Sequence, residues 1–290
     1  MKKVLLILMC CMAIQSVHAQ DTPKWADKAK KAVFSIVTYD KENKIKNTGN
    51  GFYIDNNGTA LSDYSLFEDA ERAVIINADG KELPVTRIAG ANSMYDVIKF
   101  RTETEKKITA LKVATQPAAV GETVYLLPYS TQKAATCQTG KVTQVDTIAD
   151  KAYYYTLTMT TSDKTVSCPI MNANGEVLGL IQKSASEEDK ESYAIGASYG
   201  ESLSISPLSA NDINLNKIGI AKALPETEDQ ALVYLYMSSS QMDAKNYLAT
   251  LNDFLQAYPN STEGYTRRAG YYMNIGVDEH NALAEADLKK

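Results

Sequence analysis

The sequence predicts a mainly β region followed by an all-α segment, and two patterns carry that reading. From roughly Ala32 to Ser206, short runs of β-branched and aromatic residues alternate with turn signals, the mark of a sandwich or of barrels. From Pro225 onward, apolar residues recur at spacings of three and four, the period of helices. The change of period puts the boundary near residues 207–224. A chain of 290 residues with 44% hydrophobic positions is long and apolar enough for one large or two ordinary domains.

The amino-terminal residues read as a targeting segment. Lys2 and Lys3 precede an uncharged apolar run from Val4 to Ile14, and Val17-His18-Ala19 offers small residues at a signal-peptidase site. The mature chain is expected to begin near Gln20, exported to the periplasm or secreted. The run is too short to span hydrocarbon, which needs about 20 apolar residues. A lipid anchor on Cys10 or Cys11 is poorly supported, since Met9 stands where a small residue is wanted. No later segment is long and apolar enough to insert in a membrane once the signal is removed.

The strands follow in order: Ala32 to Tyr39, Gly51 to Ile54, Ala73 to Ile76, Glu122 to Leu127, Tyr153 to Thr160 and Val177 to Ile181. Asn56-Asn57-Gly58, Ala78-Asp79-Gly80 and Asn172-Ala173-Asn174-Gly175 supply turns between them. In the α segment, Leu232, Leu235 and Tyr236 lie on one face of a first helix, and Tyr247, Leu248, Leu251, Phe254 and Leu255 on one face of a second.

Charge and composition exclude several functions. With 30 basic residues against 35 acidic ones and no long basic stretch, nucleic acid is not an expected partner. Only two histidines occur, His18 in the segment expected to be cleaved and His280 near the last residue. The central region must therefore work without imidazole, which removes Ser-His and Cys-His nucleophilic catalysis and His-ligated zinc. No second ligand at metal spacing accompanies His280, which reads as a solvent-facing turn residue. No glycine-rich phosphate loop or cofactor motif is present, so no cofactor is expected. Of the 18 tyrosines, Tyr153-Tyr154-Tyr155 and Tyr271-Tyr272 are clustered, and alternation along a strand turns half of such a cluster to the core.

The β region also resembles a known family. Thr48-Gly49-Asn50-Gly51-Phe52-Tyr53-Ile54-Asp55, followed by a turn and by Leu61-Ser62-Asp63-Tyr64, is similar to the G-S-G-F-I-I-D … T-N-N-H stretch of trypsin-like serine proteases of the bacterial high-temperature-requirement type. Later matches fall in family order: Asp79 to Leu83 with D-G-R-E-F, Ser93 to Lys99 with S-D-L-A-V-L-K, and Val120 to Val124 with V-G-D-x-V. Thr139 to Val142 resembles S-G-I-V, Pro169 to Leu180 resembles P-L-V-N-L-N-G-E-V-I-G-I, and Tyr193-Ala194-Ile195 resembles F-A-I. The resemblance implies a double β-barrel over residues 20–210 with a substrate cleft between the barrels.

The same alignment implies a degenerate triad. The histidine position falls on Ser65, the orienting aspartate on Asp96, and the nucleophile of G-N-S-G-G-P on Val166. A serine is no proton acceptor at neutral pH, and an isopropyl group cannot attack a carbonyl. Lys164 replaces the glycine whose N–H would help bind the oxyanion. Ser167 and Cys168 neighbour the lost nucleophile and Lys164 could in principle act as their base, but a side chain one step along an extended segment faces the other way. Asp96 then reads as a carboxylate accepting backbone hydrogen bonds between the barrels. The family topology further implies that Cys137 and Cys168 meet in a disulfide, with two buried thiols as the alternative.

Residues 224–290 resemble tetratricopeptide repeats. With Pro259 at repeat position 32, Tyr265, Ala269 and Tyr272 fall at positions 4, 8 and 11, where the repeat wants large, small and aromatic residues. Ala284 to Leu288 resembles its second helix after a longer turn around Val277 to Asn281. The repeat pattern is still open at Lys290, so the expectation is that the product continues or that these helices pack back on the barrel. The function expected is a non-catalytic module that binds a peptide or protein. A divergent serine endopeptidase with a rearranged site and a purely structural envelope protein are the alternatives.

Overall fold

The computed structural model describes residues 22–104, 108–149, 152–183, 190–275 and 278–290. The expected signal segment, residues 1–19, lies outside the described residues. Strands β1 (Val33–Tyr39), β2 (Ile45–Tyr53), β3 (Thr59–Ser62), β4 (Arg72–Ile76), β5 (Glu82–Asn92) and β6 (Val97–Thr102) close a first barrel in the order β1-β2-β3-β6-β5-β4. Its seam is the antiparallel pairing of β4 with β1. Strands β7 (Thr123–Leu126), β8 (Gln138–Ala149), β9 (Ala152–Leu157), β10 (Pro169–Met171), β11 (Val177–Ile181) and β12 (Ser192–Gly196) close a second barrel, β10-β11-β12-β9-β8-β7. Closure leaves neither sheet with an open edge.

One turn device recurs in both barrels. In Asp55-Asn56-Asn57-Gly58, Asn77-Ala78-Asp79-Gly80 and Asn172-Ala173-Asn174-Gly175, the first side chain accepts two backbone N–H groups, two and four residues on. The glycine in each takes a positive φ of 95°, 77° and 76°. The side chain mimics a backbone turn, and the glycine supplies the left-handed residue that closes it.

Alternation along the strands fills the first barrel with Phe34, Ile36, Phe52, Leu61, Ile75, Ile88 and Phe100, all fully buried. Phe34 meets Tyr53 edge-on with ring centroids 4.7 Å apart, and the buried Tyr53 hydroxyl bonds Thr102 Oγ1 at 3.1 Å. The second barrel is filled by Val124, Leu126, Tyr155, Leu157, Ile170 and Ile181. Ahead of β1, helix α1 (Ala26–Ala29) ties the chain start to the second barrel. Trp25 Nε1 donates to Ala173 O, and Asp27 accepts from Ala135 N–H.

Short helices α2 (Ala197–Ser202) and α3 (Ile213–Asn216) lead to a helical segment of α4 (Glu228–Ser238), α5 (Ala244–Ala257), α6 (Thr262–Ile275) and α7 (Asp278–Leu288). Thr227 caps α4 and Asp243 caps α5, each accepting an N–H three residues on. Ala231, Leu235, Leu251, Phe254 and Leu255 form the core between them. The expected α4 face needs one correction. It buries Ala231, Tyr234, Leu235 and Ser238, while Tyr236, about 100° around the helix from Leu235, is 69% exposed. Of the longer turn expected around Val277 to Asn281, Val277 lies outside the described residues, and the described part, Asp278 to Asn281, is already helix α7. His280 is therefore helical, its ring 5.4 Å from that of Tyr272 with Nδ1 buried, and is not a solvent-facing turn residue.

The helices pack back on the first barrel, the second of the two arrangements expected. Tyr234 joins the first barrel's core, and Arg87 of β5 places its guanidinium on Asp253 of α5. The connecting segment adds to β5: Ile88 N–H donates to Ala221 O at 2.8 Å, and Ala223 N–H to Ile88 O at 2.7 Å. In the last pair, Arg268 forks onto Asp287 with two bonds of 2.7 Å.

Gly51 tests the packing. A Cβ there would lie 2.7 Å from both Leu61 O and the Phe34 ring. Gly51→Ala should cost about 1–3 kcal/mol through overpacking, read as a lower urea midpoint at unchanged slope.

Candidate functional site

The site residues arise where β3 runs out into a 3₁₀ turn, Tyr64–Leu66, at the seam of the two barrels. Ser65 and Asp96 are brought together there. Ser65 donates its backbone N–H to Asp96 Oδ1 at 2.7 Å and its hydroxyl to Oδ2 at 3.0 Å. Asp96 sits at φ 48° in the β5–β6 turn, a left-handed residue that aims its carboxylate back at the 3₁₀ turn. Its partner belongs to the first barrel, so the expected bonding of Asp96 across the barrels is corrected. A short hydroxyl stands where an imidazole would reach further, and its one proton is already committed to the carboxylate.

The loop carrying Val166 faces this pair from the second barrel. Asn50 of β2 joins them: its side-chain amide donates to Val166 O at 2.9 Å and Lys164 O at 3.1 Å, while its backbone carbonyl accepts the Ser62 hydroxyl at 2.6 Å. The loop is wound into turns closed by its own groups. Thr165 and Val166 N–H both donate to Ser162 O, and Cys168 N–H to Thr165 O. The N–H at the nucleophile position thus has an internal acceptor and is not held open for an oxyanion. Lys164 is exposed, and Val166 is half-buried.

Asp63, to which the sequence reading gave no role, and Ser167, weighed there only as a neighbour of the nucleophile position, prove central. Asp63 is 1% exposed and Ser167 fully buried, and neither Asp63 Oδ1 nor Ser167 Oγ makes a hydrogen bond among the described residues. Burial holds the Asp63 carboxyl well above the usual carboxylate range; the Asp96 carboxylate adds to the rise and the adjacent Ser167 hydroxyl opposes it. Ser167 occupies the left-handed region, φ 63°, where the family pattern has glycine. Asp63 stands at an asparagine of that pattern. Asn50 and Asp63 were both visible as departures from G-S-G and T-N-N, but their convergence on residues more than a hundred positions away was not.

Neither rescue candidate reaches solvent. Ser167 turns inward, and Cys168 is fully buried in the second barrel's core with its thiol pushed by burial up to about 12. Among the described residues no lysine amine hydrogen-bonds either side chain. The bridge expected between Cys137 and Cys168 is not formed, and both are free thiols. They belong to different packing environments: Cys137, its thiol raised by burial to about 11, lies against the core cluster that includes the first barrel.

A tyrosine-lined wall continues the seam beside Asp96. Gln182, after β11, donates to Tyr95 O at 2.7 Å and accepts from the Tyr154 hydroxyl at 2.6 Å. Tyr154 stacks on Tyr193 at 6.1 Å, and Tyr95 meets Tyr199 edge-on at 5.3 Å. No group of histidine, cysteine, aspartate and glutamate residues among those described is arranged to hold a metal. No helix among them is long and apolar enough to cross a membrane.

Asp63→Asn tests the buried carboxyl. A folded-state pKa raised above the unfolded one contributes stability at low pH that is lost as pH rises. The variant should therefore be more stable than the parent at pH 7.5, with the difference shrinking toward pH 4, as followed by urea midpoints. In protein lacking residues 1–19, alkylation should modify Cys137 ahead of Cys168 in the native state and show two free thiols after unfolding; a mass two hydrogen atoms lighter with no alkylation would contradict the structure.

Comparison with known proteins agrees with this geometry. Residues 49–180 match the family model described as a trypsin-like peptidase domain. Among curated proteins none matches the chain. Among solved structures, a serine endoprotease from Yersinia pestis is similar over 65% of this chain and 64% of its own, with 14% sequence identity and a TM-score of 0.51. The chain thus spans about 64% of that protein's length, and at this identity the likeness is one of fold. Residues 49–180 are thus similar in sequence to trypsin-like peptidase domains, and the two closed barrels share the fold of that serine endoprotease.

Proposed function

We propose that the chain is an exported, non-catalytic trypsin-like protein whose inter-barrel cleft docks a peptide, joined to a tetratricopeptide-like segment that engages a protein partner. One observation carries the reading. The proton acceptor's place is taken by Ser65, whose hydroxyl is spent on Asp96, opposite a nucleophile place filled by Val166. Acyl transfer needs a nucleophile, a base within reach of it and free N–H donors for the oxyanion. Here the first two are missing and the Val166 N–H is bonded within its own loop. The alternative, a divergent serine endopeptidase, requires Ser167 or Cys168 to reach substrate, and both are fully buried.

The docking half of the reading rests on the seam being kept. Asn50, Gln182 and the tyrosines hold the two barrels in contact around the vacated chemistry. For the helical segment, Ala269, Tyr272 and Ala284 are buried at the α6–α7 interface, consistent with the repeat register. The expected export rests on the amino-terminal sequence alone.

Mature protein should neither cleave unfolded casein nor label with a fluorophosphonate, while fluorescent casein should bind it and come off intact. Specific labelling or cleavage that disappears in Ser167→Ala would overturn the proposal. Casein that fails to bind, together with an empty pull-down from envelope extract, would favour a structural role.

A further inference from the structure

Away from the barrel seam, a cavity of ≈ 230 Å³ opens between the connecting segment and helices α4 and α5. Ile218, Ile220 and Met242 give it apolar wall, and Lys222 and Tyr234 line it. The Lys222 backbone is fixed, since its neighbours Ala221 and Ala223 both bond Ile88 of the first barrel. Its amine donates to Ile218 O, and to Ile220 O at 2.9 Å. An ammonium has three donors, so one remains. Among the described residues no carboxylate lies within ion-pair distance of it. Tyr234 is 3% exposed, and its hydroxyl makes no hydrogen bond among the described residues.

A half-buried cation with one N–H left over and a tyrosine hydroxyl both border this cavity, and a ligand that accepts from them gains one charge-assisted and one neutral hydrogen bond. Burial lowers the Lys222 amine to about 8, against the opposing pull of Glu71, so at neutral pH most of it still carries its charge. The charged groups facing it are Glu71, ahead of β4 and beside Gly219, and Asp243 at the start of α5. Asp243 already accepts the N–H and side-chain amide of Asn246. As for size, an apolar cavity of about 150 Å³ admits benzene.

We propose that this cavity binds a small organic carboxylate with an apolar body, its oxygens accepting from the free Lys222 N–H and the Tyr234 hydroxyl. The apolar body rests on Ile218, Ile220 and Met242. This site is independent of the barrel seam and of the function proposed for it.

The test is a ¹⁹F NMR titration of the full chain with 4-fluorobenzoate, using 4-fluorobenzyl alcohol as the uncharged control. The carboxylate should bind and the alcohol bind at least about tenfold more weakly, since a hydrogen bond to a charged group is worth more than a neutral one. Lys222→Met should weaken binding by about tenfold or more, and Tyr234→Phe by about two- to tenfold. Affinity of the unmodified protein should fall as pH rises from 7 to 9, as Lys222 loses its charge while the benzoate keeps its own. Equal affinity for acid and alcohol, a flat profile across that range, no binding at all, or full binding by a folded Lys222→Met variant would each overturn the proposal. Should Lys222→Met fail to fold, Tyr234→Phe and the pH profile decide.

Discussion

The amide of Asn50 is the contact on which the seam of this molecule depends. It projects from β2 of the first barrel and holds two carbonyls, Lys164 O and Val166 O, of the second barrel's loop. The backbone carbonyl of the same residue accepts the hydroxyl of Ser62, one residue before Asp63. One residue, through its side-chain amide and its backbone carbonyl, thereby ties the segment leading to the 3₁₀ turn that bears Ser65 to the loop bearing Val166. In a serine protease such positioning would serve chemistry. Here it holds the Ser65–Asp96 pair and the 164–166 loop in place, the arrangement on which the proposed non-catalytic role rests.

The buried Asp63–Ser167 contact gives this scaffold its most unusual energetics. A carboxyl 1% exposed, near a second carboxylate, favours its protonated form and weakens the fold as pH rises. Ser167 adds the cost of a left-handed backbone in a residue with a Cβ, about 1–2 kcal/mol. Strain of this kind persists when the surroundings over-determine it. The turns closed on Ser162 O and the Asn50 clamp supply that constraint. They also spend the N–H group that an acyl-transfer site would have to leave free.

The helical segment depends on the first barrel rather than standing apart from it. Tyr234 is part of that barrel's core, and the backbone of 221–223 pairs with Ile88. The Arg87–Asp253 ion pair fastens α5 to β5. The Lys222 cavity lies between the connecting segment and helices α4 and α5, and the pairing of 221–223 with Ile88 holds its Lys222 wall in place.

Much of this was legible in the chain itself, because it rests on local rules. Period-two runs, three Asx-to-Gly turns and the shift to spacings of three and four mark strands, hairpins and helices through nearest-neighbour chemistry. The family resemblance likewise assigned Ser65 and Val166 to triad positions one residue at a time, as an expectation. Tertiary structure alone decided which distant groups share a buried environment: Asp63 beside Ser167, Asn50 on the 164–166 carbonyls, Cys137 and Cys168 in separate packing environments, and Lys222 opposite Tyr234. Those outcomes hinge on long-range desolvation and on how two barrels and a helical segment close against one another, quantities that no local pattern of residues encodes.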